Sequence, residues 1–103
     1  MKRQTRDWTA VVRPGSVPKL IVTGEVCTHP YAQAFLKEGR PLSGQEGTLH
    51  LTLTVLADTP RAELKEWTRV NFEKRLLTQD YAQVRIAGTG SNIVIEVRQA
   101  VQT

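Results

Sequence analysis

The chain has 103 residues, of which 40% are hydrophobic, with a formal net charge of +4 and one cysteine. That length suits one domain with one core, and a lone Cys27 excludes an internal disulfide framework and fits a reducing compartment, the cytoplasm. The longest apolar runs, at 20–22 and 93–95, fall far short of the roughly 20 residues of a membrane-crossing helix.

A basic protein invites a nucleic-acid reading, so the placement of its charge matters. Residues 1–58 hold seven basic and five acidic groups, and residues 59–103 hold the same. Only Lys2, Arg3 and Arg6 form a local run, expected as a solvated basic tail over residues 1–6 of a domain spanning 1–103. Beyond that run, Trp8 to Val12 mix polar and apolar residues before Pro14 and Gly15, and make no signal-peptide core.

In chain order, 8–12 reads as an edge strand, because Pro14 and Pro18 would each interrupt a central ladder. Lys19–Thr28 reads as a strand with Leu20, Val22, Gly24 and Val26 on its drier face. The stretch 28–47 carries Pro30, Gly39, Pro41, Gly44 and Gly47 too closely spaced for a regular element longer than 31–37, and reads as mostly loop. Thr48–Leu56 gives the clearest alternation, with Leu49, Leu51, Leu53 and Val55 set against His50, Thr52 and Thr54. Thr59 and Pro60 supply a helix N-cap and first-turn proline, but the helical stripe beyond is broken. The expectation is a helical turn at 60–65 and a strand from about Trp67 that carries Val70 and Phe72. Strands at 82–87 and 92–101 are joined by Gly88-Thr89-Gly90-Ser91-Asn92, a hairpin connection rich in residues that accept positive φ.

These strands predict a mainly β fold, a small antiparallel two-layer β-sandwich of immunoglobulin-like type, although the disulfide and central tryptophan of that class are missing. The alternative is an α+β domain with a helix at about 60–77 packed on a sheet.

Cys27, His29 and His50 are the chemically richest set, and Glu25 or Glu46 could complete a metal site if the strand ends met. The spacing lacks the paired ligands of structural zinc sites, so no metal is expected. As a thiol nucleophile and base the trio lacks an oxyanion donor. Gly88-Thr89-Gly90 lacks the third glycine and following helix of a dinucleotide fingerprint. No cofactor and no enzymatic activity are expected.

The long 28–47 stretch carries Tyr31, Phe35, Leu36, Lys37 and Arg40, apolar anchors rimmed by cations, as protein contacts are. The expectation is a non-catalytic protein-interaction module or small accessory subunit touching its partner there. Alternatively, Tyr31, Phe35 and Leu36 would form a helical turn that plugs the open end of the sandwich. The other functional reading is nucleic-acid binding through Arg69, Arg75, Arg85 and Arg98 on an outer sheet face, helped by the basic tail. An exposed edge strand would allow a homodimer by sheet extension; otherwise the chain is a monomer.

Overall fold

The computed structural model describes residues 3–30, 32–40, 44, 47–56, 66–77 and 80–100. They form β1 (Thr5–Arg13), β2 (Lys19–Thr28), β3 (Gln33–Glu38), β4 (Thr48–Leu56), β5 (Glu66–Arg75), β6 (Gln83–Ala87) and β7 (Ile93–Gln99). No helix occurs among the described residues, and so none is long and apolar enough to cross a membrane.

The seven strands make one sheet in the order β3-β4-β6-β7-β1-β2-β5. It curls until its two edges, β3 and β5, pack against each other without a hydrogen-bonded ladder. The result is a nearly closed barrel. The mainly β expectation holds. The finer expectation of an immunoglobulin-like antiparallel sandwich does not describe this sheet, because β1 with β7 and β4 with β6 pair in parallel. Strand alternation tells which face of each strand is dry, and a single curled sheet has the same dry inner faces as two stacked layers.

One local expectation is also corrected. The 8–12 strand is not an edge, since β1 lies between β7 and β2; its prolines sit in the 14–18 turn, outside the ladder. Within 28–47 the regular element among the described residues beyond the end of β2 is β3, which pairs with β4 from Gln33↔Leu56 to Glu38↔Leu51 and falls close to the 31–37 that the sequence allowed. The helix alternative at 60–77 gives way to β5, which pairs with β2 along its whole length. The proposed turn at 60–65 lies outside the described residues, as do residues 101–103, which include the end of the last predicted strand.

Inside the barrel, Leu20, Val22 and Val26 of β2 meet Leu51 of β4, Val70 of β5, and Val84 and Ile86 of β6, all essentially without solvent exposure. The β6–β7 hairpin turns as its sequence requires, on positive-φ Gly88 and Gly90. Thr89 is buried there, with its Oγ1 donating to the Ser91 carbonyl at 2.6 Å.

Candidate functional site

β1 carries the one non-glycine residue with positive φ among the described residues, Asp7 at +59°. The register against β2 shifts there, from Arg6↔Glu25 to Thr9↔Thr23, so Asp7 and Trp8 together oppose Gly24. This is a β-bulge, with the extra residue in the left-handed conformation that aspartate tolerates better than most. The shift aims Trp8 inward, where its indole rests on Gly24 and its Nε1 donates to Thr5 Oγ1 at 2.9 Å.

Over the same residues β1 has no ladder pairs with β7. These strands are in register only at Ala10↔Val97, Val11↔Arg98 and Val12↔Gln99, and main chain meets again where the Arg3 N–H donates to the Thr89 carbonyl at 2.8 Å. Between those points lies a slot of about 550 Å³ lined by Trp8, Thr9, Ala10, Val11, Ile95, Glu96 and Arg98. Strand parity assigns Trp8, Ala10 and Ile95 to the inner face and the rest to the outer, so the slot cuts through the sheet.

On the outer face, strand register sorts the charged residues into rows. One row reads Arg6, Glu25, Arg69 across β1, β2 and β5. Its charges alternate: Arg6 pairs with Glu25 at 3.2 Å, and its guanidinium lies 4.0 Å from the centroid of the Trp67 ring. At the other end of the same strands a row reads Arg13, Lys19, Arg75. All three are exposed, and no ion pair or hydrogen bond among the described residues engages their side chains. Arg98 stands diagonally beside Arg13, opposite Val11. Like charges directly opposed on neighbouring strands are destabilising, and Glu73 on β5 is the nearest outward-facing acid by register.

Among the described residues the polarity extends from strand to strand. Toward the end bearing the 14–18 turn lie Arg13, Lys19, Arg40, Lys74, Arg75 and Arg98, with Glu38, Glu73, Asp80 and Glu96. Toward the opposite end Arg3, Arg6 and Arg69 are matched by Asp7, Glu25 and Glu66.

Lys74 faces inward on β5 and donates to Glu38 of β3 at 2.6 Å, tying the two edges together. Its Nζ also lies 5.8 Å from the centroid of the Tyr81 ring. The hydrogen bond to Glu38 holds the ammonium above its ordinary value of 10.5, outweighing partial burial, which acts the other way; the charges of Glu38 and Tyr81 reinforce the rise.

Of the residues expected at a protein contact, Tyr31 lies outside the described residues. Leu36 points into the core and is buried, Phe35 is half-buried on the outer face of β3 with Lys37 Nζ 5.4 Å from its ring centroid, and Arg40 is exposed beyond the strand. Of the four arginines expected at a nucleic-acid face, Arg75 and Arg98 belong to the cationic end. Arg69 sits in the charge-balanced row, and Arg85 stands mid-strand on β6, opposite Val94. Of the basic run expected in a tail, Arg6 lies within β1, and Arg3 donates from Nη1 to the Cys27 carbonyl at 3.1 Å; Lys2 lies outside the described residues.

Sequence reasoning missed Arg13 and Lys19, although the hairpin that pairs them was in reach: two strands joined by 14–18 place 13 opposite 19. The expected convergence of Cys27 and His50 is corrected, since β2 ends and β4 begins at opposite ends of the barrel. Among the described residues no cluster of three or more histidine, cysteine or acidic side chains has metal-site geometry. No known protein family, curated protein or solved structure matches this chain.

Proposed function

We propose that the chain is a non-catalytic binding module that holds a nucleic acid by its phosphates, through Arg13, Lys19, Arg75 and Arg98. One observation carries this reading: three cations stand directly opposite one another across three strands with no acid between them. A purely structural surface alternates charge, as the row of Arg6, Glu25 and Arg69 does. An unopposed row costs stability that bound phosphates would offset. Adjacent strands lie about 4.8 Å apart, so Arg13 and Arg75 are separated by roughly 10 Å at their bases and can splay over two or three consecutive phosphates.

The test is the anisotropy of a labelled oligothymidylate titrated with the protein at rising salt. Neutralising three or four phosphates of a single strand gives a log–log slope of about −2 to −3, and affinity falls roughly 20- to 60-fold between about 50 and 200 mM salt. Arg75→Ser should weaken binding and flatten the slope by about 0.7, while Arg69→Ser leaves both nearly unchanged. Equal losses from the two variants, or binding indifferent to salt, would refute the phosphate reading.

A second reading keeps the protein contact on the 28–47 stretch, now centred on β3. Phe35, half-buried and rimmed by Lys37 and Arg40, favours it. A protein partner lost with Phe35→Ala and retained with Arg75→Ser at high salt would replace the nucleic-acid reading with this one.

A further inference from the structure

The slot between β1 and β7 opens beside the cationic end, and Arg98 belongs to both. Its volume of about 550 Å³ lies within the range of small-molecule sites. Three features make it a receptacle rather than a packing defect. Its tryptophan is fixed before any ligand arrives, by Thr5 at one edge and by contact with Gly24. It lies next to a bulge on a left-handed aspartate, a conformation kept only where the surroundings hold it. And β1 and β7 have no ladder pairs at Trp8, Thr9, Ile95 and Glu96, so the slot begins where the ladder of Ala10 and Val11 with Val97 and Arg98 stops.

We propose that this slot takes one unstacked base of a single-stranded nucleic acid whose phosphates lie on Arg13 and Arg98. The inference rests on the phosphate reading above and adds to it a preference for single strands over duplex. Trp8 and Ile95 supply the apolar walls against which a base packs, and stacking on an aromatic residue is how single strands are held without regard to most of their sequence. Glu96, exposed on the rim, accepts a hydrogen bond from an exocyclic amine, as carboxylates do from cytosine. A paired base inside a duplex does not present its face. Cytosine is therefore favoured over thymine, by about five-fold for one such hydrogen bond.

Two tryptophans occur in the chain, and Trp67 stands on β5 beneath the Arg6 guanidinium and does not line the slot, so Trp67→Phe leaves Trp8 as the sole indole reporter. Oligodeoxycytidylate, oligothymidylate and a duplex of the same length are titrated into this variant, with anisotropy and Trp8 emission followed together. The expected result is Trp8 quenching by both single strands and not by the duplex, with the cytidylate bound about five-fold tighter than the thymidylate. Glu96→Ala should erase the difference between the two single strands. Binding by anisotropy with Trp8 emission unmoved, or moved equally by the duplex, overturns the slot and leaves the phosphate reading standing. No binding of any probe at low salt overturns both.

Discussion

At position 24 the absence of a side chain is what lets Trp8 lie flat in the barrel wall. A Cβ there would come within 2.6 Å of Trp8 Cδ2, in a position that is fully buried. Gly24→Ala should therefore cost about 1–3 kcal/mol, as overpacking does, measured by urea denaturation. The same substitution in a Trp8→Leu background should cost much less, because the two changes share one space. An additive pair would mean that the indole and Gly24 are not coupled. Gly24 reads in the sequence as one more member of the dry face of its strand, and that much is right. Its role as the seat for Trp8 was not legible, because it depends on a one-residue bulge that no periodicity announces.

Between strands, register decides what neighbouring charges do. Lys19→Glu converts the row at the cationic end from three like charges to an alternating one. The variant should be more stable than the wild type by about 0.2–1 kcal/mol while losing most of its nucleic-acid affinity. Loss of stability would show that the row is tied to something other than a ligand. At the seam, the Lys74–Glu38 pair is partly exposed, with 23% and 37% of the side-chain surfaces accessible, and is worth about 0.5–1 kcal/mol. Because the lysine's pKa is raised in the folded state, this contribution is complete below 10.5 and is lost as pH climbs through the higher folded-state value. Glu38→Gln should thus be less stable than the wild type at neutral pH, and the gap should narrow in strongly alkaline solution; a gap constant with pH would remove the ion pair from the account. The strands themselves were legible wherever apolar and polar residues alternate, and β4 is the plainest case. β3 was bounded by the sequence, at 31–37, but not identified as a strand, because its six residues, Gln33–Glu38, lie between Pro30 and Gly39 and alternate over only Ala34 and Leu36.

Across the whole molecule, the linear sequence distributes charge evenly between its two parts, and the fold undoes that evenness. Arg13 and Lys19 come from the first hairpin, Arg75 from the end of β5 and Arg98 from the last strand, and they converge because β1, β2, β5 and β7 bring corresponding ends together. A candidate surface drawn from arginines on outward-facing positions could name Arg75 and Arg98. It could not separate them from Arg69 and Arg85 without strand order, and strand order is set by long-range pairings that local pattern does not encode.

The parallel pairing of β1 with β7 has a bearing on how the chain acquires its shape. The first strand cannot complete its hydrogen bonding until the last has arrived, and β2 must wait for a partner 38 to 56 positions away, from Thr28↔Glu66 to Lys19↔Arg75. The entropy lost in closing such long loops comes before any contact rewards it, which places refolding in the slow, millisecond-to-second regime of topologically distant β proteins. Until β2 and β5 pair, the row of unopposed cations does not exist, so the surface proposed to bind nucleic acid depends on a long-range pairing and not on the first hairpin alone.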